Sequence, residues 1–187
     1  MVNVSHRFKI KKYMNSVLSG YIEELPKNIE QIPTSRIELL DQISNSILEK
    51  KSQNKPVKLV FICTHNSRRS HLAQIWASTL AFYFGIRGIE TFSGGTEVTD
   101  FNIRAINALH RAGFGVLSLG GENPKYEVSY DKSASDLICY SKKFDSLENP
   151  QTDFAALMTC TDADQSCPVV LGAEYRFGLY YEDPKEA

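Results

Sequence analysis

The apolar run VKLVFI ends in CTHNSRRS, Cys63 to Ser70, and passes at once into a stretch with helical spacing. Few folds accommodate that junction. VKLVFIC (57–63) is a continuous β-branched and apolar run, the pattern of a strand covered on both faces. SHLAQIWASTLAFYF (70–84) places Leu72, Ile75, Trp76, Thr79, Leu80 and Tyr83 on one helical face, with Gly85 as the stop. A loop between a strand end and a helix start wraps backbone N–H groups around a point, which is a cradle for a tetrahedral oxyanion. The same N–H groups and the helix dipole favour a thiolate, so Cys63 is the candidate nucleophile. Arg69, six positions on, can grip two oxygens of the anion. Ser70 can donate its hydroxyl to the thiolate. Asn66 tolerates the left-handed conformation such loops need and can hold the loop shape through its amide. Thr64, His65, Asn66, Ser67, Arg68 and Ser70 make up the expected oxyanion-binding and loop-stabilising set. C-x5-R alone is a weak motif; the strand, loop and helix around it give it weight.

Around this junction the chain alternates strand and helix. IETFSGG (89–95) reads as a short strand ending in glycines. NIRAINALHRAG (102–113) reads as a helix with Ile103, Ile106, Ala108 and Leu109 inward and Gly113 as its cap. The alternation in residues 123–141 predicts a hairpin inserted at the sheet edge. FAALMTC (154–160) and YRFGLYY (175–181) supply two further strands. The pattern predicts an α/β fold, an open and mainly parallel four-stranded sheet flanked by helices. In such sheets ligands bind beyond the carboxyl ends of the strands, where Cys63, Cys160 and Asp183 fall. Residues 1–33 read as an arm with a short helix around Tyr13 to Leu18. SRIELLDQISNSILEKK (35–51) then reads as an amphipathic helix. Ser35 and Glu38 form its capping box, and Ile37, Leu40, Ile43, Ile47 and Leu48 form its buried stripe. The division expected is an N-terminal arm and helical extension over 1–54 and a catalytic domain over 55–187.

Composition narrows the function classes. A net charge of −1 gives no global basic surface for nucleic acid, and no apolar run is long enough for a bilayer. The N-terminus has basic residues but no apolar signal core, and four cysteines without such a signal suggest reduced thiols in a cytoplasmic protein.

CTHNSRRS resembles the phosphate-binding loop of the low-molecular-weight protein tyrosine phosphatases and of the arsenate reductases built on the same fold. The resemblance spans roughly residues 55–187. It implies Cys63 as nucleophile, Arg69 as oxyanion clamp, and Asn66 and Ser70 as stabilisers of loop and thiolate, with an arsenate or phosphate oxyanion as ligand. Departures are specific. Arg68 stands where the family commonly has cysteine, and His65 where it has glycine, with its ring expected to point outward. Gln74 replaces a glutamate that helps hold a potassium ion in related arsenate reductases, so the resemblance does not carry that ion site over.

CTDADQSCP places Cys160 at a strand end and Cys167 seven residues later, before Pro168. Two cysteines so spaced need backbone movement to reach disulfide geometry. Three thiols can act in order: Cys63 attacks an oxidised anion, Cys160 attacks the Cys63 adduct, and Cys167 attacks Cys160. The spacing and the proline resemble the redox pair of the thioredoxin-coupled arsenate reductases, which implies an external thiol reductant of the thioredoxin kind and no bound cofactor. An inert buried Cys160 is the competing reading. A zinc site is a poorer one for lack of nearby histidines, so no metal is expected. Cys139 reads as packing.

The chain closes on YYEDPKEA. Asp183-Pro184 resembles the family's general-acid loop, which implies Asp183 as proton donor to the leaving oxygen. Family members continue past this loop into a helix that packs on the sheet, and this sequence stops at Ala187. The helix over 35–51 is expected to cover part of that face. Three readings stand at this level: an arsenate reductase, a phosphatase using Cys63, Arg69 and Asp183, and a non-catalytic oxyanion-binding protein. The cysteine pair favours the first.

Overall fold

A computed structural model describes residues 14–186, with the side chain of Glu186 excepted. Four parallel strands, β1 (Val57–Cys63), β2 (Ile89–Gly95), β6 (Phe154–Met158) and β7 (Ala173–Gly178), form one sheet in the order β2-β1-β6-β7. Alternation along β1 sorts its side chains. Val57, Leu59 and Phe61 enter the core on one face of the sheet, and Val60 and Ile62 enter the core on the other. Full burial of both sets explains why β1 is apolar from Leu59 onward, with the half-buried Lys58 as its one charged residue.

Two helices cover the first face, α2 (Thr34–Ser52) and α3 (Arg69–Tyr83). Ile43, with Leu39 and Ile47, packs on Val57, Leu59, Ala155 and Leu157 beside Ala73 and Ala77 of α3. The helix over 35–51 therefore lies on the sheet, as its apolar stripe requires, but with a different stripe. Ile37, Leu40 and Leu48 face solvent, while Leu39, Ile43 and Ile47 face inward together with Ser46 and Lys50. Lys50 is tolerated there because it pairs with Glu174 on β7. The capping box is also corrected. Pro33 is the cap residue, its carbonyl accepts from Arg36 and Ile37 N–H, and no side chain caps the helix. Ser35 lies inside the first turn, past the position a capping hydroxyl must occupy.

The other face carries the short helix α5 (Thr161–Ser166), whose Ala163 packs on Val60, Ile62, Ala156 and Met158. A second core lies behind α3. There α1 (Ser16–Glu24), α4 (Ile103–Ala112) and an antiparallel sheet of β3 (Gly115–Ser118), β4 (Tyr126–Ser129) and β5 (Leu137–Cys139) enclose Leu18, Ile75, Phe101, Ile106, Leu109 and Val128. The expected hairpin is real as β4–β5. It belongs to this separate sheet, with β3 as a third strand, and does not extend the parallel one. In α4 it is Ala105, Ile106, Leu109 and Ala112 that are buried, while Ile103 in the first turn is exposed. Gly113 closes α4 at φ 99°, the left-handed cap that glycine adopts without strain. The helix expected around Tyr13 begins at Ser16, capped by Asn15, whose side chain accepts from Val17 N–H; Tyr13 lies outside the described residues. Among the described residues no helix is long and apolar enough to cross a membrane.

Candidate active site

The β1–α3 junction winds Thr64 to Arg68 into a loop whose every turn is anchored. Asn66 sits at φ 44°, fully buried, and its amide bonds in two directions. Nδ2 donates to Ser70 Oγ at 2.9 Å, and Oδ1 accepts from Lys142 N–H at 3.0 Å. Ser70 Oγ lies 3.1 Å from Cys63 Sγ, so Asn66, Ser70 and Cys63 form one buried chain that orders the thiol. The loop carbonyls turn outward to partners on neighbouring segments: Cys63 and Thr64 accept from Thr96 and Glu97 N–H, and His65 accepts from the Ser141 and Thr99 hydroxyls. Ser67 O accepts from Asn102 N–H, and its hydroxyl donates to Asp100 O at 2.7 Å. Carbonyls directed away leave the loop interior to N–H groups, which is what an anion cradle requires. Gly95 enforces the packing behind the loop. A Cβ there would stand 2.7 Å from Asn66 N and Thr64 O, so no side chain fits.

His65 points away from the loop, half-exposed, with Nε2 at 3.3 Å from Glu97. Arg68 does not. It donates from Nε and Nη2 to the two oxygens of Asp183 at 2.9 and 3.1 Å, a bidentate pair. Arg69 Nη2 reaches the same carboxylate at 3.4 Å, and Nη1 donates to Tyr181 O at 3.3 Å. Burial alone would push the Asp183 carboxyl up, but the hydrogen bonds and charge of Arg68, aided by Arg69, hold it below its ordinary value. Asp183 thus sits over the cradle as a carboxylate between two guanidinium groups. The 180–183 segment is held from outside as well, because Arg36 on α2 donates to Tyr180 O at 2.7 Å and lies over the Tyr181 ring.

Cys160 is buried where β6 gives way to α5, with Sγ 3.5 Å from Thr64 Oγ1 on the residue after Cys63. Cys167 closes α5 at its other end and is partly exposed. The pair is free, and at about 1.5 Å rise per residue the intact helix separates the two Cα atoms by roughly 10 Å. A disulfide spans at most about 7 Å between Cα atoms, so pairing requires α5 to unwind. Burial pushes the Cys167 thiol up, Arg176 opposes that, and Asp145 reinforces it. Cys139 is fully buried in the second core, and burial pushes its thiol to about 12, as expected of a packing residue. The structure therefore brings Cys63, Arg69, Ser70, Asn66, Asp183 and Cys160 to one end of the sheet, with Cys167 one short helix away.

Three participants escaped the sequence reading. No motif in the sequence singles out Arg36, Asp164 or Arg176, and only their contacts across the fold set them apart. The SGG at 93–95 was the one local signal of the packing behind the loop.

No family model matches the chain. Two Staphylococcus epidermidis proteins, named arsenate reductase and arsenate reductase 2, are each 28% identical to it over 128 residues, covering 67% of this chain and 77% of the relative. A solved thioredoxin-dependent arsenate reductase of Corynebacterium glutamicum aligns with 97% of this chain and 74% of its own, at 17% identity and a TM-score of 0.38. In sequence the chain resembles the arsenate reductases of the low-molecular-weight phosphatase superfamily, and its parallel four-stranded sheet flanked by helices is the architecture that this resemblance implied.

Proposed function

We propose that this protein is an arsenate reductase that works through three thiols in series. The observation that carries the reading is the position of Cys160, buried and 3.5 Å from Thr64 in the loop that starts at Cys63, with Cys167 at the far end of the same short helix. The 28% identity to proteins named arsenate reductase supports it. In the first step the Cys63 thiolate displaces hydroxide from arsenate, with the loop N–H groups and Arg69 holding the remaining oxygens. Cys160 then attacks Cys63 sulfur. The As–S bond breaks, its electron pair stays on arsenic, and arsenite leaves as a Cys63–Cys160 disulfide forms. Cys167 attacks Cys160 sulfur, frees the Cys63 thiolate and leaves a Cys160–Cys167 disulfide. An external dithiol of the thioredoxin kind reduces that bond and restores the starting state.

Arg68 and Arg69 hold the Asp183 carboxyl below its ordinary value, which bears alike on an ester's leaving oxygen and on the hydroxide expelled from arsenate. What favours the reductase over a hydrolase is the Cys160 and Cys167 pair, which ester hydrolysis does not use. The test is NADPH oxidation in an assay coupled through thioredoxin and thioredoxin reductase, with arsenate as substrate. Wild type turns over in proportion to arsenate, and Cys167→Ser loses at least 95% of steady-state turnover. Folded wild type that gives no arsenate-dependent oxidation, yet hydrolyses an aryl phosphate in a Cys63-dependent way, overturns the reading in favour of a phosphatase.

A further inference from the structure

The six-residue helix α5 has no side-chain cap at its N-terminus and is too short to persist on its own. Its support comes from outside, and it converges on one residue. Arg176 on β7 donates to Asp164 O at 2.8 Å and to Cys167 O at 3.0 Å, closing the last turn from without. The same guanidinium pairs with Asp164 Oδ1 at 2.7 Å, and Tyr180 donates its hydroxyl to Asp164 Oδ2 at 2.7 Å. Both oxygens of Asp164 are thus engaged by groups on and just beyond β7. Arg176 also holds the carbonyl of Cys167, whose sulfur must travel to Cys160. Every one of these contacts belongs to the wound helix, and the disulfide belongs to the unwound one.

We infer that Asp164, Arg176 and Tyr180 form a clasp that positions the dithiol by holding α5 wound, and so set the balance between the Cys160/Cys167 dithiol and its disulfide. The inference rests on the reading of these cysteines as a redox pair. Its consequence follows from linkage. The clasp stabilises only the dithiol form, so loosening it favours the disulfide and makes the dithiol a stronger reductant. Tyr180 is also the residue whose carbonyl Arg36 holds, next to the segment that carries Asp183. The clasp therefore joins the redox helix to the loop over the cradle.

The experiment equilibrates the full chain with mixtures of glutathione and glutathione disulfide, traps free thiols with an alkylating reagent and reads the Cys160–Cys167 bond by mass spectrometry. The two protein thiols give two protons and two electrons to glutathione disulfide, which leaves as two glutathiones. Relative to wild type, Asp164→Asn and Arg176→Met are expected to raise the equilibrium constant for disulfide formation on the order of tenfold, the scale of a lost charge-assisted hydrogen bond. Arg176→Lys recovers part of the shift. Tyr180→Phe keeps the ring and gives a smaller shift in the same direction, roughly threefold for a neutral donor. Asp162→Asn, an exposed first-turn carboxylate outside the clasp, shifts the constant by no more than about threefold. The melting temperature adds a second readout, with each clasp variant lowering it in the dithiol form and not in the disulfide form. Equal constants in wild type and all clasp variants overturn the clasp while leaving the redox pair standing. Absence of a Cys160–Cys167 bond in every protein, at every glutathione ratio, overturns the redox pair itself.

Discussion

Arg68 occupies a loop position where a small neutral side chain would leave the cradle open, and its guanidinium instead turns back to grip Asp183. This pair sets a pH dependence whose sign can be worked out. The folded-state carboxyl lies below its ordinary value of 3.8, so the stabilisation is present above that value and is lost as pH falls through the lower folded one. Arg68→Met removes the strongest opponent of burial, and the Asp183 carboxyl rises, as a carbon-13 NMR titration of the carboxyl groups will show. The variant is less stable than wild type by about 1 kcal/mol at pH 7, since the pair is partly solvated, and the difference closes as both carboxyls protonate. A stability difference that persists unchanged at pH 2 would show that Arg68 acts through packing alone. His71 illustrates the opposite case at the same loop. Full burial, with the charge of Lys142, holds its imidazole down at about 3, so it stays neutral beside the stacked ring of Phe101.

Among the elements, α2 shows where period ends as a guide and packing begins. Its sequence carries leucine and isoleucine on two sides, so spacing alone selects a stripe containing Ile37, Leu40 and Leu48, whereas the sheet accepts Leu39, Ile43 and Ile47. Ile43→Ala is therefore expected to cost about 2–4 kcal/mol by denaturant unfolding, and Leu48→Ala less than about 0.5. Equal costs would place the helix elsewhere. The two inner strands of the parallel sheet, β1 and β6, were legible because double burial writes an apolar run, as in LVFIC and FAALM. The third strand of the small sheet was not. GVLS is four residues long and mostly exposed, and pairing with Tyr126–Ser129 is what makes it a strand. The loop residues were legible together because a cradle is a local structure, with Cys63, Asn66, Arg69 and Ser70 within eight positions. The contacts that hold Asp183 and α5 were not, since Arg68 and Asp183 lie 115 residues apart and nothing local announces their meeting.

At the scale of the whole molecule, the parallel sheet delivers to one end a thiol from β1, a second thiol from β6 and a carboxylate from beyond β7, as the carboxyl edge of such a sheet does. The helix from the N-terminal part of the chain closes the face beside the cradle and reaches the segment that carries Asp183 through Arg36. Three of the four cysteines stand in sequence from this edge outward, and the fourth is sealed in the second core. The measurement that bears most directly on this arrangement is a single turnover of Cys167→Ser with arsenate in the absence of any added thiol. The account predicts one arsenite released per chain and a Cys63–Cys160 disulfide identified by mass spectrometry of the digested protein. Arsenite release without that bond, or no release from folded protein, would contradict it.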